Sequence, residues 1–271
     1  MSAQLQPFAV MGVVNVTPDS FSDGGLYLNS VAAIAHGREL EAAGAAILDV
    51  GGQSTRPGAE PVGVAEELRR VIPVIEGLRA AGSAAIISVD TSKAQVAASA
   101  LAAGATFVND VTALSDPRMA ETVAAAGARL ALMHMQGEPR TMQNNPHYND
   151  VVDDVKAFLE ARLARAVAAG IDEQRVVLDP GIGFGKTVEH NLQLLSRLHE
   201  LVALGRPVLI GSSRKSFIGT LTGQADPADR LAGTIATNVI AFERGATLFR
   251  VHDVRPIHDA LLIAAATVAQ R

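Results

Sequence analysis

Eight short runs rich in β-branched residues recur along this chain, each followed by an amphipathic segment rich in Ala and Leu. The runs are Phe8–Val16, Ala46–Gly52, Ala85–Thr91, Thr106–Val111, Arg129–Met135, Arg175–Pro180, Pro207–Gly211 and Thr247–Val254. Segments with helical periodicity lie near 30–43, 64–81, 93–103, 116–126, 150–169, 188–204, 226–244 and 255–269. Alternating strand and helix implies a parallel sheet, and eight such units favour a closed (β/α)8 TIM barrel. An open doubly wound sheet is the alternative. A chain of 271 residues could divide in two. An α/β barrel, however, uses about 250 residues as one domain, so a single domain over 1–271 is expected.

Helix ends carry matching punctuation. Gly44, Gly104, Gly127, Gly170 and Gly245 each follow a helical pattern and lead into the next strand. Glycine there takes the left-handed conformation that ends a helix. Asp116-Pro117 reads as an N-cap followed by proline in the first turn. The core composition agrees with this architecture. Hydrophobic residues make up 48% of the chain and aromatics only 4%, with no Trp. Buried parallel strands under Ala-rich helices suit that balance better than a β-sandwich.

Several function classes fall away. There is no cysteine, which excludes disulfides, zinc-thiolate sites and thiol nucleophiles. A formal net charge of −5 disfavours nucleic acid as a partner, because phosphate backbones need a basic surface. No apolar run approaches the roughly 18 residues of a membrane span. Met1 to Pro7 carries no basic residue before its apolar stretch, so a signal peptide is not expected and a cytoplasmic location is.

The informative polar residues fall where the strands end. In a barrel the βα loops build the C-terminal face, and chemistry sits there. Those ends offer Asn15, Asp49 with Gly51-Gly52, Asp90, Asn109-Asp110, His134, Asp179, Ser213 to Lys215, and Arg250 with His252 and Asp253. Any one of them could serve as a cap or loop brace, and for Asp49 that reading is strong. A whole ring of them exceeds what stability requires. Asp49, Asp90 and Asp179 with Lys215, Arg250 and His252 form a mixed-sign set. Carboxylates there can accept from a donor-rich heterocycle while cations hold a phosphate or carboxylate. Asn15 and nearby acids can supply the oxygen ligands that Mg2+ prefers. Two loops add to the ring. Asn15–Gly25 is long, polar and ends in two glycines, as a mobile lid would. Gly51–Gly58 places two hydroxyls and an arginine between glycines, as an anion cradle would.

Other motifs fail on inspection. Gly181–Thr187 resembles a P-loop, but the required first glycine falls at Pro180. Lys186 occupies the last glycine position of a dinucleotide fingerprint. His134 lies between two methionines with no second histidine at metal-ligand spacing, so a packed or substrate-wall histidine is expected. Ser212 and Ser213 do not form a nucleophile elbow.

Taken in order, the strand-end motifs resemble those of the dihydropteroate synthases. Met11–Gly25 is similar to the family's first signature and Asp49–Gly58 to its second. The likeness continues through Ser88–Ser92, Asn109-Asp110, Leu132–Gly137, Leu178–Lys186, Ser213–Lys215 and Arg250–Val254, covering essentially the whole chain. The resemblance implies a transferase of folate biosynthesis. It would join (7,8-dihydropterin-6-yl)methyl diphosphate to 4-aminobenzoate, releasing diphosphate through an SN1-like path.

Carried over by motif, Asp90, Asn109, Asp179 and Lys215 would form the pterin pocket, with Asp90, Asp179 and Lys215 as the catalytic set. Asn15 would reach Mg2+, Thr55, Arg56, Arg250 and His252 would surround the diphosphate, and Val251 would be a further substrate-binding residue. Ser213, near the start of the seventh helix, would help hold the 4-aminobenzoate carboxylate, with Phe184, Pro57 and Phe21 lining that side. A homodimer is also implied. Gln53 departs from the pattern, standing where many bacterial relatives have glutamate. If that glutamate orders the second loop by an ion pair, Gln53 loosens it, with activity expected to survive. Two alternatives remain from the sequence: a non-catalytic pterin-binding paralogue, and a methyltetrahydrofolate-corrinoid methyltransferase, which would need no diphosphate site.

Overall fold

A computed structural model of the chain describes residues 7–16, 26–54 and 60–270. Eight strands form one sheet: β1 (Ala9–Asn15), β2 (Ile47–Gly51), β3 (Ile86–Asp90), β4 (Phe107–Asp110), β5 (Arg129–Met133), β6 (Val176–Asp179), β7 (Leu209–Ile210) and β8 (Leu248–Val251). Their order is β6-β5-β4-β3-β2-β1-β8-β7, and every neighbouring pair is parallel. A parallel bridge between Leu178 and Val208, with Leu178 N donating to Pro207 O at 2.9 Å, joins the two ends of the sheet. The result is the (β/α)8 barrel expected from the alternation, and the open sheet is excluded.

Side-chain alternation divides each strand between two cores. Val10, Leu48, Ile87, Val108, Leu130, Leu178 and Phe249 point outward and belong to the large layer shared with the helices. Met11, Ile47, Phe107, Ala131, Val177, Leu209 and Leu248 point inward and form a separate apolar plug in the lumen. Branched and aliphatic side chains fill the strands on both faces, as a sheet buried on both sides requires.

The helices are α1 (Leu26–Ala42), α2 (Val64–Ala80), α3 (Ala94–Ala102), α4 (Met119–Ala126), α5 (Val151–Ala168), α6 (Val188–Ser196), α7 (Leu198–Val202), α8 (Ser216–Thr222), α9 (Leu231–Glu243) and α10 (Val254–Val268). All five glycines expected at helix ends have positive φ. Three details differ from the sequence reading. The helix expected over 188–204 breaks at Arg197, whose φ of −103° and ψ of 23° separate α6 from α7. That arginine instead bridges Asp150, Asp153 and Glu200. The helix expected from 226 opens with a 3-10 turn, Pro227–Arg230, before α9, and the short α8 precedes it. Asp116 does not cap α4: its side chain accepts from Arg118 N at 3.0 Å and, across the interhelix gap, from Ala94 N at the start of α3 at 2.9 Å. Among the described residues, no helix is long and apolar enough to cross a membrane.

Candidate active site

Two residues above the apolar plug, the inward positions change character. Asp49 on β2, Asn109 on β4, Asp179 on β6 and Arg250 on β8 follow Ile47, Phe107, Val177 and Leu248 on the same face. Asp90 ends β3 in register with Gly51 and Asn109. The period of the strand therefore turns the ends of β2, β3, β4, β6 and β8 into one polar layer.

Arg250 organises that layer. Its Nε donates to Asp49 Oδ2 at 2.7 Å and its Nη2 to Asp90 Oδ2 at 2.8 Å. Asn109 Nδ2 donates to the same Asp49 oxygen at 3.0 Å. Asp49 is fully buried, and its Oδ1 has no hydrogen-bond partner among the described residues; nor has the buried Ser88 Oγ. Asp49 thus serves the lumen network through Asn109 and Arg250, and no described residue of the loop that follows it bonds its carboxylate. Asp110 does brace a loop. Its carboxylate accepts from Thr112 N and Oγ1 and from Leu114 N, holding a turn in which Ala113 and Leu114 have positive φ.

The other wall comes from the loops after β6 and β7. Asp179 Oδ1 accepts from Gly181 N at 2.7 Å. Gly181 has a φ of +67°, and a Cβ there would overlap the His134 carbonyl oxygen. Lys215 Nζ stands 3.9 Å from the Phe184 ring centroid, a cation–π contact. It donates no hydrogen bond to any described residue. Ser213 Oγ accepts from His252 N at 3.2 Å and lies 3.0 Å from His252 Nδ1. Ser213 precedes α8 and not the helix expected over 226–244. Beside it Arg214 pairs with Asp253 through two hydrogen bonds of 2.9 and 2.6 Å.

Burial sets the proton affinities. It pushes Asp90 up to about 7 against the pull of Arg250, with Asp49 and other acids adding to the rise. It pushes Asp179 up to about 6, opposed by the Gly181 N–H, Lys215 and Lys186. Burial and the nearby Arg250 lower Lys215 to about 8, while Asp179 and Asp90 work the other way. Burial alone would lower Arg250 too, but Asp49 and Asp90 hold it fully charged. The layer is a mixed-charge site in which Asp90, Asp179, Lys215 and Arg250 are all displaced from their ordinary affinities, as groups in functional sites often are.

The structure therefore brings together Asp90, Asn109, Asp179, Phe184, Ser213, Lys215, Arg250 and His252 around one mouth. Asn15 closes β1 at the same rim: a Cβ built on Gly51 would lie 3.8 Å from Asn15 Oδ1 and 3.6 Å from Asp90 Oδ2, so the two oxygens border one open space. Val251 differs from its neighbours. Its side chain is fully buried in the layer between barrel and helices, which leaves only its main chain toward the mouth. Thr55, Arg56, Pro57 and Phe21 lie outside the described residues, as does most of the Asn15–Gly25 loop.

Gln53 has a role the sequence reading missed. Its Oε1 accepts from Lys93 Nζ at 2.6 Å and from Val62 N at 3.3 Å, tying the chain before residues 55–59 to the chain after them. Lys93 also bonds the fully buried Glu67, which accepts from Thr91 Oγ1 at 2.6 Å. A signal existed: Glu67 falls on the buried stripe of α2 with Val71, Val74, Ile75 and Leu78, where a lone carboxylate needs a partner. Met133 and Val111 were also missed. Both line a cavity of about 390 Å3 beside the mouth, together with Gln53, Ser54, Phe158 and Arg162.

Comparison with known proteins agrees with this geometry. The family model described as pterin binding enzyme matches residues 11–252. The dihydropteroate synthase of Escherichia coli strain K12 is 47% identical over 262 residues, covering 97% of this chain and 92% of that protein. The structure of Xanthomonas albilineans dihydropteroate synthase with 4-aminobenzoic acid superposes with a TM-score of 0.91 at 52% identity, over 96% of this chain and 93% of the other. The same organism's enzyme in complex with 7,8-dihydropteroate gives 0.87 at 49% identity, over 96% and 94%. With matches of this extent, the chain belongs to the dihydropteroate synthases, within the pterin-binding enzyme family.

Proposed function

We propose that this chain condenses (7,8-dihydropterin-6-yl)methyl diphosphate with 4-aminobenzoate, forming 7,8-dihydropteroate and diphosphate in folate biosynthesis. One observation carries the reading. In the polar layer Asp179 accepts from Gly181 N through Oδ1, Asn109 gives its amide N–H to Asp49, and Lys215 Nζ lies against the Phe184 ring, so a carboxylate oxygen, an amide oxygen and an ammonium face one mouth. Buried polar groups left open are costly, and a ligand with the complementary pattern removes that cost. A pterin has it: the 2-amino group and N3–H donate to Asp179, O4 accepts from Lys215, and a ring nitrogen or amine faces Asn109. Asp90 holds Arg250 in place beside the ring, a pair that is complete only while Asp90 is ionised.

The C–O bond to the leaving diphosphate breaks as the pterin ring delocalises the positive charge on the methylene carbon. Arg250 and His252, with Thr55 and Arg56 of the second loop, hold the departing anion. The 4-aminobenzoate amine then forms the new C–N bond and gives up a proton. Ser213 and the Phe184 ring orient that acceptor, so that the enzyme supplies position and charge and excludes water. Asn15 would hold Mg2+ through its side-chain oxygen, with substrate and water completing the shell. Among the described residues no three His, Cys, Asp or Glu side chains form a metal site of their own. When bound, the ion neutralises charge on the leaving group.

We read residues 1–271 as one pterin-binding domain working as a cytoplasmic homodimer. The exposed Leu221, Ile240 and Ile263 on α8, α9 and α10 support self-association, and a cysteine-free chain needs no oxidising compartment. The test is release of diphosphate from the dihydropterin substrate with Mg2+, with and without 4-aminobenzoate. Dihydropteroate formed in step with diphosphate is the expected result. Pterin binding with neither product would leave a non-catalytic paralogue or methyl transfer to a corrinoid.

A further inference from the structure

Two side chains that the site described above leaves unused, Lys186 and His134, meet inside the molecule. Lys186 is 3% exposed. Its Nζ lies 3.0 Å from His134 Nδ1 and donates to the Phe184 carbonyl oxygen at 3.0 Å. No ion pair holds this nitrogen among the described residues. A buried lysine whose hydrogen-bond partners are neutral is expensive, burial pushing it down to about 7 against the pull of Asp179, and an aliphatic side chain would fill the space at less cost. The position therefore calls for a donor.

What it donates to is informative. The main chain of the loop is fixed atom by atom: Gly183 N donates to Asn191 Oδ1, Gly183 O accepts from Gln143 Nε2, and Gly185 O accepts from the Tyr148 hydroxyl, each at 2.7 Å. The Phe184 carbonyl falls to Lys186. Its other partner, His134, also gives its main-chain N–H to Asp179 O at 2.9 Å and presses its carbonyl on Gly181. The His134 ring packs edge-on against Phe158, 4.9 Å between centroids. Burial and Lys186 drive this imidazole down to about 3, so it is neutral and Nδ1 is free to accept. One bridge thus links the residue that faces Lys215 to the strand end that carries Asp179.

We propose that Lys186 is a positioning residue for the arylamine acceptor: by joining the Phe184 carbonyl to His134 Nδ1, it fixes the Phe184 ring beneath the Lys215 ammonium. The inference rests on the synthase reading for its substrate, but the bridge can be tested without turnover. Lys186→Met removes the donor at similar length, and His134→Phe removes the acceptor while keeping the ring. For Lys186→Met, KM for 4-aminobenzoate should rise about tenfold, the value of one hydrogen bond to a charged group. Affinity for the dihydropterin diphosphate should stay within about threefold, and amide exchange across 181–186 should accelerate. The double variant should be no worse than Lys186→Met, since both changes break one bridge. A folded Lys186→Met with unchanged KM and unchanged exchange would overturn the proposal, as would additive effects. If Lys186→Met does not fold, His134→Phe decides: a raised acceptor KM supports the bridge and an unchanged one refutes it. Absence of dihydropteroate with the unaltered enzyme would remove the synthase reading, while the exchange measurement would still judge the bridge.

Discussion

The lower and upper halves of the barrel lumen are built from the same strands and the same inward-facing register, yet they do opposite things. Met11, Ile47, Phe107, Ala131, Val177, Leu209 and Leu248 fill the lower half with carbon. Two residues on, about 6.6 Å along the strand, Asp49, Asn109, Asp179 and Arg250 stand above Ile47, Phe107, Val177 and Leu248. The lower layer gains from leaving water. The upper one loses: Asp90 and Asp179 are pushed up and Lys215 down, and an Asp49 oxygen is left without a partner. The contrast shows how this fold separates tasks. The plug secures the cylinder, and the layer above holds polar groups whose desolvation a substrate can relieve.

The largest effect that tests this separation is Phe107→Ala. Phe107 is fully buried in the plug, directly before Val108 and Asn109 on β4. Truncation should cost about 3–5 kcal/mol in urea unfolding, while kcat/KM of the folded fraction stays within about threefold. Collapse of activity without loss of stability would mean that the halves are not separable.

A middle-sized effect is the pH dependence of kcat/KM for the dihydropterin substrate. Asp179 and Asp90 are raised acids, so they take up protons as pH falls through about 6 and about 7. Protonated, Asp179 loses an acceptor for the ring donors and Asp90 its charge toward Arg250, so activity should fall on the acid side. Lys215 is a lowered base and gives up its charge above about 8, which sets an alkaline limb. A profile flat from about pH 5 to 9 would show that these groups do not act in the free enzyme.

The smallest effect belongs at the edge of the upper layer. Gln53→Glu would add a second carboxylate to Lys93, which already pairs with Glu67. One ammonium cannot neutralise both, so turnover should change by less than about tenfold. A hundredfold rise in steady-state turnover would show that the natural amide leaves the second loop poorly ordered.

Much of this was legible in the sequence because its signals are periodic or local. Eight β-then-α units predicted the barrel, and the polar residues that end the strands, Asp49, Asp90 and Asp179 among them, placed the acids on its C-terminal rim. The helix break at Arg197 was not legible, because it answers to Asp150 and Asp153 on another element. Nor was α8, whose seven residues are too short for helical periodicity to register. In the site, Asp49 and Asp110 looked alike as strand-end acids. Only three-dimensional neighbours separate the one bound to Arg250 from the one that closes its own turn. Lys186 and His134 had been read separately, since 52 residues part them and nothing local joins them.

The most direct test of the division is Lys215→Ala, followed by calorimetric titration with the dihydropterin diphosphate and by thermal melting. Lys215 contacts the Phe184 ring and offers its hydrogen bonds to no described residue. Its loss should therefore weaken substrate binding by about a hundredfold, roughly 3 kcal/mol, without lowering the melting temperature. Unchanged affinity, or a fall in stability with binding intact, would contradict the account, because the upper layer would then be serving the fold and not a ligand.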